Sequence, residues 1–303
     1  MTTKVYSGMD DLPIGTASDH ITDGLLVLEG GAWRGMYTQG ALDAMMEEDL
    51  NLSAIIGVSA GALSGLSYAS GQIGRSVHLN LHYRHDRNYT GTGALLRDHG
   101  VTGFSYLFNE ISKEWPLDEE RFFDPSRRFV TVCTNIDTGE PEYFEKGKCT
   151  DIFKAIQASA TVPYVSEAVE IDGKRYLDGG IAQKIPLDWA LEQPEQKIIL
   201  IRTRDRAFRK TLKATNRFAK LEYGKKYPNL MWDLYEEGEH YNILINRIDQ
   251  LEEAGRLFVL APSEPVTISR FEGDVETLAD LYWLGYNDAK NASQAMKDYL
   301  NDE

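Results

Sequence analysis

Apolar residues in this chain fall into short runs that end in glycine and are followed by stretches of helical spacing. Leu25-Leu26-Val27-Leu28 is the first such run and leads into Gly30-Gly31. Residues 35–48 follow, with Met36, Ala41, Leu42, Met45 and Met46 available to one helical face. A second run, Leu52 to Ile56, stops at Gly57, and small residues from Ala60 to Ser70 predict another helix. Strand, glycine turn and helix, repeated, predict a parallel sheet. Further strands are expected at 128–135, ending at Tyr176-Leu177, and at 197–201, with a helix over 152–159. Residues 1–22 are polar and contain Pro13 and Gly15, which predicts an irregular arm before the fold begins. Beyond Arg202 the pattern changes to long charged helices, interrupted by a strand near 256–260 and closed by a helix over about 275–300. The expected division is therefore an arm (1–22), an α/β core (23–202) and a mainly helical region (203–303) that returns one late strand to the core. Residues 88–116 mix glycines with apolar side chains at no sustained period, the composition of a lid over a site.

Composition narrows the function classes. The chain has 303 residues and a net charge of −15, which argues against general nucleic-acid binding because that affinity comes from many basic contacts to phosphates. No apolar stretch approaches the roughly 20 residues of a membrane span. The first twenty residues lack the apolar run of a secretory leader, and Cys133 and Cys149 suggest neither a disulfide framework nor a zinc cluster. A cytoplasmic location is expected, and the oligomeric state is left open.

Candidate chemistry starts at Gly57-Val58-Ser59-Ala60-Gly61, a G-x-S-x-G pentapeptide between a predicted strand and a predicted helix. That context places the Ser59 hydroxyl on a strained turn at the carboxyl end of the sheet, near a helix N-terminus that favours developing negative charge. The plainer alternative is a tight turn with a serine N-cap. Acyl transfer also needs backbone N–H donors at the tetrahedral oxyanion, and Gly30, Gly31 and Ala32 can present them. A phosphate loop is the alternative there, but the spacing matches neither G-x-G-x-x-G nor a Walker loop with its lysine. None of the six histidines lies in a turn after a late strand, whereas Asp178, followed by Gly179 and Gly180, does. A carboxylate in that place can accept the serine proton directly, or can be an ordinary Asp-Gly turn.

Taken together in this order, the glycine loop, the Ser59 elbow and Asp178-Gly179-Gly180 resemble the patatin-like phospholipases. Residues 155–163 and Val169-Glu170-Ile171-Asp172-Gly173 carry the same likeness, which spans roughly 24–262. The resemblance implies a three-layer α/β/α fold with a mostly parallel central sheet and a helical carboxy-terminal extension. It also implies hydrolysis of acyl esters of phospholipids or related lipids by a Ser59–Asp178 dyad through an acyl-enzyme, without metal or other cofactor. Arg34 and Gly35 keep the family pattern, as do Gly57 and Gly61. Ala32 departs from it, standing where the family usually has a third glycine. A non-hydrolytic lipid or acyl-group binding module on the same scaffold is the alternative, supported only by Ala32.

Two other features of the sequence bear on metal and membrane binding. His78, His82 and His85 have helical spacing, but Leu79 stands where a zincin has its glutamate, so solvated helix faces are expected. Residues 202–226 hold ten basic residues against Asp205 and Glu222, with Phe208, Leu212, Phe218 and Leu221 spaced as an apolar stripe. Such a helix can lie on an anionic membrane surface as a peripheral contact, or fold as a basic surface helix over the acidic body.

Overall fold

A computed structural model describes residues 4–211 and 224–302. Its centre is an eight-stranded sheet built from β1 (Thr22–Leu28), β2 (Leu52–Val58), β3 (Arg128–Asn135), β4 (Pro141–Glu145), β5 (Val169–Ile171), β6 (Lys174–Asp178), β7 (Ile198–Ile201) and β8 (Phe258–Leu260). The strand order is β8-β7-β1-β2-β3-β6-β5, with β4 on the other edge of β3. The pairs β8/β7, β7/β1, β1/β2 and β2/β3 are parallel, as the repeated strand-turn-helix pattern predicts. The antiparallel pairs β3/β4, β3/β6 and β6/β5 were not legible. Every residue of β4 is only half-buried, so it lacks the continuous apolar run that marks the central strands.

Helices cover both faces, giving three layers. On one side lie α1 (Gly35–Glu47), α2 (Ala60–Ala69), α3 (Arg75–Tyr83) and α4 (Ile152–Ser159) around a core that includes Leu26, Leu28, Ile55, Phe129 and Ile156. On the other, α5 (Leu187–Leu191) and α6 (Met231–Glu253) enclose Leu25, Val27, Ile56, Val130 and Leu200. Alternate residues of β1 thus enter opposite cores, which is why its sequence is apolar throughout.

The last helix, α7 (Val275–Asn301), belongs to the first layer and packs on α1. The approach is close enough that a Cβ on Gly40 would stand 1.9 Å from the Tyr282 carbonyl oxygen, and one on Gly285 2.0 Å from that of Tyr37. Buried Asp43 of α1 accepts from the Tyr282 hydroxyl at 2.9 Å and from the Gly74 amide at 2.9 Å.

Two expectations need correction. The amino-terminal arm is not outside the fold: Leu12 and Ala17 are core residues, and Gly15–Thr16 pairs with Gln72–Ile73. Residues 202–211 are not helical. Arg202 is wholly buried, and Phe208 turns inward between the Arg204 guanidinium (4.4 Å) and the Tyr241 ring (6.2 Å). Leu212, Phe218 and Leu221 lie outside the described residues. Among the described residues no helix is long and apolar enough to cross a membrane.

Candidate active site

Ser59 follows the last residue of β2 and holds φ 56° and ψ −121°, a strained conformation for a residue with a side chain. The strain is sustained by crowding. A Cβ on Gly61 would stand 2.6 Å from the Leu28 carbonyl oxygen, so only glycine lets α2 start this close to β1. Gly57 lies under the first turn of α2, and Gly35 packs on Ala60. The Ser59 amide donates to Ser159 Oγ at 3.0 Å.

Asp178 is the last residue of β6. Val58 pairs with Val132 and Asp178 with Cys133, the next residue of β3, so the ends of β2 and β6 meet on one edge of that strand. The Ser59 hydroxyl donates to Asp178 Oδ2 at 2.7 Å, and the Gly180 amide donates to Oδ1 at 2.7 Å. Gly179 passes so near the Val132 carbonyl oxygen that a Cβ there would stand 2.1 Å from it. The Asp178 backbone is held as well: its N–H donates to Thr161 O at 3.0 Å, and its carbonyl accepts from Thr134 Oγ1 at 2.8 Å. Burial is the largest influence on the Asp178 carboxyl and raises its pKa above the ordinary aspartate value. The Ser59 and Gly180 hydrogen bonds, then the charges of Lys184 and Arg270, oppose it.

The glycine loop lies against Ser59, for a Cβ on Gly30 would be 3.3 Å from that of Ser59. Its amides are not equivalent. Gly30 N–H already donates to Lys184 O at 3.2 Å, which removes it from the expected oxyanion trio. The Trp33 and Arg34 amides are turned to Arg270 O (3.4 Å) and Gly31 O (3.2 Å). Ala32, the departure from the family pattern, has φ 49°, a left-handed conformation that accounts for glycine being usual there. Arg34 is half-buried, and its pKa is lowered to about 10 by burial and by the like charges of Arg204 and Arg270.

Two further contributors were not among the expected site residues: Ser159, within the 155–163 segment of the family likeness but given no role there, and Glu29, which carried no sequence signal. Ser159, at the end of α4, joins the two halves of the site by accepting from Ser59 N–H and, through its carbonyl, from Gly179 N–H at 3.3 Å. Buried Glu29 stands just before the glycine loop. Its Oε2 accepts from the Thr203 amide at 2.6 Å and hydroxyl at 3.1 Å, and its Oε1 accepts from the Tyr241 hydroxyl at 2.8 Å. A Cβ on Gly31 would stand 2.7 Å from Thr203 Oγ1, so this network backs the loop directly.

Ser59 faces a cavity of about 1030 Å³, walled by apolar residues such as Leu63, Leu66, Leu79, Leu107, Phe108 and Phe153. Residues of 88–116 form one side of it, through a helix at Thr92–Asp98 and helical turns from Phe104 to Glu114. The three spaced histidines contribute no cluster. His78 is buried and stacked on Trp115 at 4.8 Å, not solvated as expected, while His82 and His85 are exposed. Among the described residues no group of three or more His, Cys, Asp or Glu is placed to hold a metal ion.

Comparison with known proteins places this geometry in context. Uncharacterized protein YjjU of Escherichia coli strain K12 is 30% identical over 183 residues, covering 59% of this chain and 51% of its own length. A probable lipid hydrolase, 463L of Invertebrate iridescent virus 6, is 23% identical over 188 residues, covering 57% of this chain and 64% of its own. The chain thus spans about half to two thirds of these relatives. The solved structure of VipD from Legionella pneumophila matches with a TM-score of 0.48 at 14% identity, over 95% of this chain and 70% of that one. A model described as a domain of unknown function (DUF6363) matches residues 227–301, which include Tyr241, Arg270 and α7. The patatin-like phospholipase model matches residues 26–191, more than half of the chain and all of the Ser59–Asp178 site, and the chain belongs to that family.

Proposed function

We propose that the protein is a serine acyl hydrolase that cleaves fatty acyl esters of phospholipids or related lipids. The observation that carries this reading is the 2.7 Å hydrogen bond from the Ser59 hydroxyl to a carboxylate whose other oxygen is held by Gly180, at the wall of a large apolar cavity. Asp178 accepts the serine proton as Oγ attacks the ester carbonyl. The Gly31 and Ala32 amides hold the oxyanion, and Asp178 then returns the proton to the departing alkoxide oxygen. In the second half, Asp178 takes a proton from water as it attacks the acyl carbonyl, the acyl–Oγ bond breaks to release the fatty acid, and Asp178 returns the proton to Ser59 Oγ. The apolar wall receives the acyl chain, since each buried methylene contributes about 0.8 kcal/mol to binding.

Hydrolysis of a p-nitrophenyl acyl ester series tests this reading. The expected result is turnover by the native chain and a loss on the order of a thousandfold or more in both Ser59→Ala and Asp178→Asn. A native chain inert toward these esters and toward vesicle phospholipids overturns it and leaves a lipid-binding module on the same scaffold.

A further inference from the structure

Among the described residues eight large hydrophobic side chains are exposed; two of them, Leu95 and Phe271, line the cavity that holds Ser59, and three more, Leu96, Tyr164 and Val165, are within three residues in sequence of a lining residue. Leu95 and Phe271 line the cavity while remaining 54% and 59% exposed, so each is wetted on one side and faces the acyl chamber on the other. Leu96, 81% exposed, stands next to Leu95 on the helix Thr92–Asp98. Tyr164 and Val165 follow the lining residue Val162.

Three chain segments form this rim, and polar contacts tie them together. Arg84, at the end of α3, donates through Nε to Glu272 O at 2.8 Å and through Nη1 to Thr90 Oγ1 at 3.0 Å, which joins the Phe271 segment to the start of the 92–98 helix. The Glu167 amide donates to His99 O at 3.0 Å, which joins the far end of that helix to the Tyr164–Val165 segment. The apolar rim is therefore one surface carried on linked supports, although its residues come from distant parts of the sequence.

We propose that this rim is the face by which the protein docks on a zwitterionic lipid surface, so that an acyl chain passes from the bilayer into the Ser59 cavity without crossing water. The inference rests on the lipid-hydrolase reading and adds to it where the enzyme meets its substrate. Leaving exposed apolar area in water is costly, and burying it among acyl chains supplies the binding. The opening of an apolar chamber in the middle of the rim selects a lipid surface as the occupant. Charge selects the kind of lipid. The chain carries −15 overall, and of the cations near the rim Arg97 is paired with Glu110 at 2.9 Å and Arg84 with the Glu272 carbonyl, while Lys154 is exposed on the cavity wall. Net repulsion between the acidic chain and an anionic surface leaves apolar burial as the main attraction of this face.

The test is flotation of the full-length Ser59→Ala protein with vesicles of pure phosphatidylcholine, at low and high salt, so that binding is read without turnover. Binding is expected to persist at high salt, to fall tenfold or more in Leu96→Asp combined with Val165→Asp, and to strengthen in Leu96→Trp. In the Ser59 background, the Leu96→Asp/Val165→Asp pair is expected to hydrolyse a water-soluble short-chain ester at the native rate, which also shows that it folds. Unchanged vesicle binding by the aspartate pair overturns the proposal, as does binding that requires anionic lipid and disappears in salt, or Leu96→Trp binding no better than its parent. Failure of the native chain to hydrolyse the soluble ester counts against the hydrolase reading instead, so the two results are separable.

Discussion

Val58 and Asp178 sit at consecutive register positions on one edge of β3, opposite Val132 and Cys133. β2 reaches that point running parallel to β3 and β6 reaches it running antiparallel, so the two strands meet end to end. Their meeting sets Ser59, the residue after Val58, within hydrogen-bond distance of Asp178. The Ser59–Asp178 pair is thus held by a sheet on both sides, and its precision comes from the pairing ladder more than from the loops that follow.

This arrangement predicts a pH profile. In the proposed mechanism Asp178 serves as a base only when ionised, and burial raises its pKa above the ordinary aspartate value of 3.8. The acidic limb of kcat/KM for a neutral soluble ester is therefore expected above that value, with activity falling as pH drops through the raised pKa. An acidic limb that one histidine substitution abolishes would contradict the assignment.

Glu29 and Tyr241 are expected to position the glycine loop. Glu29→Gln keeps the shape but replaces one acceptor oxygen with a donor facing groups that themselves donate. A hydrogen bond to a charged acceptor contributes about 1.5–3 kcal/mol, so kcat is expected to fall by about ten- to a hundredfold with KM little changed. Tyr241→Phe removes one bond and is expected to cost less. A rise in KM at constant kcat would show that the network shapes substrate binding and not the oxyanion site.

The crossing of α1 and α7 leaves no room for a methyl group. Gly40→Ala and Gly285→Ala each force backbone apart, and we expect a loss of about 3 kcal/mol or more, since overpacking even ordinary side chains costs about 1–3 kcal/mol. Thermal unfolding of the two variants measures it. A melting temperature equal to that of the native chain would show that the helices can separate freely.

Asp43 links the same two helices and gives stability its own pH dependence. Burial raises its pKa from 3.8 to about 7 in the folded chain. Between those values the folded state binds more protons than the unfolded one, so this contribution is fully present below about pH 4 and is lost as pH rises toward 7. Asp43→Asn is expected to flatten that part of the stability curve, as read by denaturant unfolding at pH 5 and pH 7. A difference between the two pH values that persists in the variant would assign it to other groups.

The sequence by itself determined the parallel half of the sheet and singled out Ser59 and Asp178, the pair that the fold brings together. Apolar runs buried on both faces, each ending in glycine before a helix, can hardly be read otherwise. Ser59 in its strand-to-helix turn and Asp178 before two glycines were legible because those turns need particular residues locally. What only the tertiary structure decided depends on contacts between distant segments. Strand β4 carries no apolar run, the part played by Ser159 within the 155–163 segment has no local signature, and Glu29 looks like an ordinary polar residue until the sheet brings Thr203 to it. Gly30 looks equivalent to Gly31 until Lys184 takes its amide, and Phe208 looks like part of an exposed stripe until Tyr241 covers it. Local patterning is encoded in neighbours along the chain, whereas hydrogen-bond partners and buried faces are settled only when residues hundreds of ångströms apart in an extended chain are packed against one another.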